Sequence, residues 1–334
     1  MRIVLVVAAV ALVLAGAGAW AVKAASSGGS RGAAGEPLPP PEQPSAADQR
    51  ARKDAAEDRE RAEQLAKLIE KLKPLTTKLG KPGPSDWLAN HPEKGQTFKE
   101  YLDSDPTRPT EARGAIYIQP LGEFTATQRK LVKLTGELMA VWFNVPTRFS
   151  EDLKLDVVPA AARRKNPYTQ EEQLLTGHIL DRVLKPKLPR DAAAYICFTA
   201  TDLWPGEGWN FVFGQASDDR VGVWSLYRFG DPDKSEADFR LVLLRTLKLA
   251  THESGHMFSM AHCTAYACNM CGSNTLSETD RHPLALCPEC LAKICWAARA
   301  DPVARYKKLA EFCKEQKLAP EEEAYRKLLA AIGG

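Results

Sequence analysis

No cysteine occurs before Cys197 in this chain of 334 residues. That excludes an inhibitory cysteine switch in the N-terminal half, and it excludes a lipid-modified cysteine behind the first apolar run. Charge of one sign is missing too: 45 Lys+Arg stand against 42 Asp+Glu, and no dense basic stripe flanks the residues able to do chemistry. Nucleic acid, which rewards concentrated positive charge, is excluded as a partner class. Long hydrophobic runs are limited to one, Ile3 to Val22 behind Arg2. It is long enough to span a bilayer, and its small residues with Val22-Lys23-Ala24 equally suit a secretory signal. Residues 1–25 are therefore expected to be a signal peptide or membrane anchor. The mature protein is expected outside the cytoplasm, secreted or tethered, in a compartment where disulfides are possible.

Histidine is scarce, at six residues, yet three fall in one stretch: His252-Glu253-Ser254-Gly255-His256, then His262. On an α-helix, residues four apart share a face one turn apart, so His252 and His256 can bind one ion. Glu253, next to the first ligand, reaches water at the metal without binding it. His262 is too far along for the same face, so the helix must stop and the chain turn back. Three protein ligands leave the fourth tetrahedral position for water, the requirement of catalytic zinc. Zinc lowers the pKa of that water to about 7, and Glu253 takes its proton during attack on a peptide carbonyl. An HExxH string alone arises by chance in unrelated helices. The third histidine, the cysteines that follow and Met270 make chance a poor account here.

The cysteines allow two ligand sets. Spacing alone favours Cys268-x-x-Cys271 with Cys287-x-x-Cys290, a zinc-ribbon-like pattern. The whole constellation (HExxH and His262, Cys263, Cys268-x-Met270-x-Gly272-Ser273, Cys287-x-x-Cys290) resembles the archaemetzincin branch of the metzincin zinc peptidases. The resemblance implies a catalytic zinc on His252, His256 and His262, Glu253 as general base, and Met270 as the Met-turn methionine below the metal. It implies a structural zinc on Cys263, Cys268, Cys287 and Cys290, hence two Zn2+ per chain. Cys197 reads as a buried thiol, and Cys271, Cys295 and Cys313 are left over, with Cys295–Cys313 one conceivable pair. One departure stands out: Ser259 occupies the position where the family usually has the glycine that lets the chain leave the helix with positive φ. Serine there costs on the order of 1 kcal/mol.

Taken in order, residues 26–45 are a disordered Ser/Gly/Pro-rich linker and 46–73 a charged helix or stalk, with Leu65, Leu68, Ile69 and Leu72 as its apolar stripe. The catalytic domain is expected over 74–334, with its N-terminal part at 74–258 and its C-terminal part at 259–334. Gly95 to Leu102 is again similar to the family. Strands are expected at Ala115–Leu121, Leu153–Pro159, Ala193–Asp202, Asn210–Ala216 and Val221–Phe229. The last two are an antiparallel hairpin around Ser217-Asp218-Asp219-Arg220. Helices are expected at Thr125–Asn144, Tyr168–Leu184, Glu236–Phe258 (capped by Ser235) and three more after Cys290. His178, far from the metal residues, reads as a surface or packing residue, and Tyr266 as a packing residue near the site. By resemblance Asn210–Ala216, with Phe211, Val212, Phe213 and Gly214, is the sheet edge that holds an extended peptide, and Cys271 to Thr275 wall the pocket after the scissile bond. The fold class is then α/β: a metzincin-like twisted mixed sheet of about five strands with backing helices, an active-site helix and a small C-terminal zinc-bearing subdomain. The function is zinc-dependent hydrolysis of peptide bonds. The alternative is a non-catalytic secreted or tethered zinc-binding protein, and the partners are peptide or protein substrates, with a membrane involved only through the N-terminal segment.

Overall fold

A computed structural model describes residues 45–333; the apolar run and nearly all of the linker lie outside them. Helix α1 (Ala46–Leu72) starts in one unit, 10–60, and ends in the main unit, 61–334. In the main unit its Leu65, Ile69 and Leu72 are buried. No described helix is long and apolar enough to cross a membrane.

The elements that follow are α2 (Trp87–Asn90), α3 (Phe98–Asp103), β1 (Ala115–Leu121), α4 (Ala126–Phe143), β2 (Thr147–Phe149), β3 (Arg163–Lys165), β4 (Glu172–Leu175) and α5 (Thr176–His178). Then come β5 (Ala192–Thr199), β6 (Asp202–Trp204), β7 (Gly214–Ser217), β8 (Val221–Ser225) and the long α6 (Glu236–Met257). The C-terminal part holds α7 (Leu276–Arg281), α8 (Pro288–Ala297), α9 (Pro302–Glu315) and α10 (Ala319–Ile332). The main sheet has the order β2-β1-β5-β8-β7. Its first three pairings are parallel and only β7 runs antiparallel, as the outermost strand beside β8. The fold is thus α/β with a twisted mixed sheet.

Strand β5 shows why the sheet sits in the middle. Every residue of it is buried, which only a strand covered on both faces requires. Its side chains alternate between two cores. Ala194, Ile196 and Phe198 join the larger core with α4 and α6 residues such as Leu138, Leu243 and Leu247. Tyr195 and Cys197 join a smaller core with Leu174, Ile179 and Leu184 on the opposite face. Cys197 is the buried thiol expected, and burial pushes its pKa far up. Helix α4 begins at a capping box, Thr125 Oγ1 accepting from the Gln128 N–H and Gln128 reaching back to the Thr125 N–H. Helix α6 begins where the Ser235 hydroxyl accepts from the Asp238 N–H at 3.1 Å.

Four stretches differ from expectation. Leu153–Pro159 is not a strand: Leu153 makes a single bridge to Leu121, and Leu155–Val157 is a 3-10 turn. Strand β1 ends at Leu121 and offers no further ladder there, so its neighbour is β2 instead. Tyr168–Leu184 is not one helix. Asn166 Oδ1 accepts from the N–H groups of Tyr168 and Thr169, an Asx turn that competes with helix. Residues 172–175 then pair as β4 between β3 and β6, and helical structure starts only at Thr176, with π-type turns over Ile179–Leu184. Ala193–Asp202 divides, because the chain leaves the main sheet after Thr199 and enters the small sheet at β6. The hairpin strands are shorter than expected: Val212 is held by a bridge to Leu203, so β7 begins at Gly214, and Tyr227–Phe229 is a 3-10 turn.

The end of α6 delivers the chain to the site. The Ser259 N–H bonds the His256 carbonyl at 2.9 Å, and the Met260 N–H bonds the Gly255 carbonyl at 3.0 Å. These are the two bonds of a Schellman ending, whose turning residue is left-handed and usually glycine. Ser259 adopts it with φ 62°. Its hydroxyl accepts from the Thr107 N–H at 3.0 Å and its carbonyl from Gln96 Nε2 at 3.3 Å. Those bonds offset the backbone cost that the sequence alone leaves unanswered. Ser259→Ala is accordingly expected to lose about 1 kcal/mol in denaturant unfolding, whereas Ser259→Gly, which removes the strain along with the bond, stays within about 1 kcal/mol of wild type.

Candidate metal centre and active site

Helix α6 carries His252 and His256 one turn apart, and the turn at Ser259 brings His262 back across them. The three rings pack with centroids 4.6, 5.3 and 4.8 Å apart, and their ligand nitrogens lie within 4.8 Å of one another. Each Nδ1 already has a partner. His252 Nδ1 donates to the Asn269 carbonyl at 2.8 Å, and His256 Nδ1 to the Met260 carbonyl at 2.7 Å. His262 Nδ1 meets Glu93 Oε2 at 2.8 Å. A carbonyl can only accept, so the proton sits on Nδ1 and the Nε2 lone pair faces inward. The Nε2 atoms of His252 and His256 are 3.0 Å apart, and His262 Nε2 is buried without a partner. Burial holds His252 well below the usual imidazole range, and burial with the nearby His262 puts His256 at about 3. Converging neutral lone pairs with no proton to share fit a divalent cation.

Glu253 is 1% exposed, and neither carboxylate oxygen has a hydrogen-bond partner. Burial raises its carboxyl to about 8. An orphaned buried carboxylate is costly to keep, and this one directly follows His252 on α6. Met270, 1% exposed, packs against the backbone of α6 at Gly255: a Cβ there would stand 2.7 Å from the Met270 sulfur, so only glycine allows this approach. The Cys263 N–H bonds the Met270 carbonyl at 2.7 Å, tying the third histidine's strand to that turn.

Glu93 was missed in the sequence. It is 169 residues from His262, and no spacing rule connects the two. It accepts from His262 Nδ1 and from Trp87 Nε1 at 2.9 Å, while the Trp87 ring lies edge-on to His262. A carboxylate behind a ligating imidazole fixes ring and tautomer and makes the nitrogen more basic. Glu93→Ala is therefore expected to weaken metal retention about ten- to a hundredfold in chelator competition. Retention at the wild-type level would show that Glu93 does not hold the ring.

Four sulfurs, those of Cys263, Cys268, Cys287 and Cys290, lie within 4.8 Å of one another, all buried. The Cys263 and Cys287 sulfurs are 3.7 Å apart, too long for a disulfide. Backbone N–H groups aim at the sulfurs: Cys287 N to Cys268 Sγ at 3.2 Å, Met270 N to Cys268 Sγ at 3.5 Å and Cys290 N to Cys287 Sγ at 3.5 Å. Such donors favour thiolates, so the cluster too fits a metal. Cys271 is outside this set, its thiol 3.2 Å from the Tyr266 carbonyl. All eight cysteines are free, so Cys295 and Cys313 do not pair.

The remaining predicted residues are placed as follows. His178 is half-buried and outside both clusters. Tyr266 is half-buried and packs on the main core. Phe211, Val212 and Phe213 are buried and precede the edge strand, so of the four edge residues only Gly214 belongs to β7. Phe213 does line a narrow cavity beside His252, together with Cys271 and Ser273.

Known proteins resemble this chain in sequence. The model of "Peptidase family M54" matches residues 194–295. Archaemetzincin-2 of Macaca fascicularis and of Homo sapiens are each 36% identical over 266 residues, covering 70% of this chain and 73% of theirs. The solved archaemetzincin of Archaeoglobus fulgidus is 28% identical, covering 54% of this chain and 99% of that one, with a TM-score of 0.43. With a relative this similar over most of its length, the chain belongs to the archaemetzincins, peptidase family M54, and is a zinc metallopeptidase.

Proposed function

We propose that the protein cleaves extended peptides outside the cytoplasm with Glu253 as its general base, and that it holds two zinc ions, one catalytic and one structural. The observation that carries this reading is the convergence of three imidazoles on one point, with a buried, unpartnered Glu253 carboxylate on the residue next to the first of them. His252, His256 and His262 would hold the catalytic ion. Zinc bound there supplies Lewis-acid polarisation of the scissile carbonyl and acidifies water toward neutral pH. Glu253 accepts the proton released as water attacks and passes it to the departing amine. The backbone contacts of His252 and His256 and the carboxylate behind His262 keep the three rings in place without rearrangement. Strand β7 is the outermost strand of its sheet, with Gln215, Ala216 and Ser217 partly exposed, and can take a peptide as an added strand. Cys263, Cys268, Cys287 and Cys290 would hold the second ion and pin α8 to the Met270 turn.

On this reading 74–334 is the catalytic domain, preceded by the stalk helix, the linker and the N-terminal signal or anchor. Near-balanced charge supports a peptide partner over nucleic acid. The test is digestion of a peptide library by the zinc-loaded protein, with metal analysis alongside. Two zinc equivalents per chain and cleavage that a chelator stops and zinc restores are expected. A count near one, or no cleavage at full zinc content, would overturn it.

A further inference from the structure

The cavity beside His252 has a composition that the metal chemistry does not require. Phe213, Phe229, Leu249 and Leu276 give it apolar walls, and Lys248, Arg245 and His282 line it as well. Arg245 is satisfied: it makes two bonds to Asp280 and one to the Phe229 carbonyl. Lys248 is not. It is 3% exposed, and its Nζ donates only to the Thr279 and Asp280 carbonyls, at 3.1 and 3.4 Å. Glu321 and Asp280 are the acidic groups whose field reaches it, and among the described residues neither forms a direct ion pair with it. An ammonium has three donors, and a buried one without an anionic partner is expensive. Beside it the His282 Nε2 is also buried without a partner.

Lys248 stands one helical turn before His252 on α6, so its side chain occupies the same face of the helix, next to the metal residues. A side chain entering this cavity from a peptide held at the site would have both the apolar walls and Lys248 as neighbours. A narrow, mostly apolar cavity with a cation in its lining suits an unbranched stem that carries a carboxylate. We propose that Lys248, with His282 beside it, makes this pocket select an acidic side chain, glutamate foremost, in the residue that follows the scissile bond. This rests on the peptidase reading above and adds the substrate class to it. A carboxylate completes the third donor of Lys248 and supplies the charge its site lacks. Glutamine offers an acceptor without the charge, and leucine fills the walls but leaves the ammonium unpaired.

The experiment uses the full zinc-loaded chain and peptides that differ only in that residue: Glu, Gln, Leu or Lys. Wild type is expected to favour Glu over Gln by about ten- to a hundredfold in kcat/KM, with Lys poorest. Lys248→Met, which keeps the length of the stem, is expected to bring the Glu-to-Gln ratio close to one. A wild-type preference for Leu over Glu, or an unchanged ratio in Lys248→Met, would overturn the proposal. Binding of the same fluorescent peptides to zinc-loaded Glu253→Gln separates the two readings without needing a change at Lys248. Tighter binding of the Glu peptide with no cleavage by wild type upholds the pocket and sinks the peptidase reading. Cleavage of the panel with no difference in binding between Glu and Gln does the reverse.

Discussion

Glu253→Gln is expected to lower kcat on a cleaved peptide by about 10²- to 10⁴-fold, the range a positioned general base contributes, with KM and zinc content unchanged. Glutamine has the same size as glutamate, and at 1% exposure size matters for packing. Neither oxygen of Glu253 has a hydrogen bond to lose, so the substitution removes a proton acceptor and little else. Stability follows the same logic. Burial alone raises this carboxyl to about 8, which means the fold resists its ionisation. A neutral amide avoids that cost, so the melting temperature of the metal-free variant is expected to equal or exceed that of metal-free wild type near neutral pH. The variant's zinc stoichiometry must be measured alongside its kinetics. Wild-type turnover at matched zinc would remove Glu253 from the chemistry, whereas lost turnover with lost zinc would place it in metal retention instead.

The histidine cluster was legible because it is mostly local. His252, Glu253 and His256 are related by helical geometry, and the Ser235 start of α6 is read from residues three apart. Even the family's glycine position pointed correctly at the place where the backbone turns left-handed. What answers Ser259 was not legible, because Gln96 and Thr107 reach it across 163 and 152 residues of sequence. Glu93 behind His262 is the same kind of contact. Strand β4 was hidden for a related reason: residues 172–175 look helical in isolation, and only pairing with β3 and β6 makes them a strand. Behind Ser259 and His262 a contact distant in sequence decided, and a single sequence holds no term for it; at β4 a local Asx turn and nearby strand pairing overrode the helical look. The cysteines fall between the two cases. Their clustering was plain, but Cys263 and Cys271 were separable only by which sulfur folds toward the other three.

That choice leads to the other large effect. Cys263→Ser is expected to release one of two zinc equivalents and to destabilise the fold by more than about 4 kcal/mol, as loss of a structural metal does, whereas Cys271→Ser keeps both ions. Cys263 is one of four sulfurs within 4.8 Å of each other, while Cys271 faces the Tyr266 carbonyl. A serine hydroxyl at neutral pH is a poor substitute for a thiolate, so three ligands remain and the buried thiols around them regain protons. Cys287 also caps α8, and the Cys268 sulfur accepts from the N–H groups of Met270 and Cys287. Releasing the ion therefore loosens the turn on which the histidine site rests, through the bond from the Cys263 N–H to the Met270 carbonyl. Activity should fall with stability in Cys263→Ser although no histidine has changed. Metal analysis of both variants with denaturant unfolding decides the matter: zinc loss confined to Cys271→Ser would move the fourth ligand to that sulfur and make Cys263 a neighbour only.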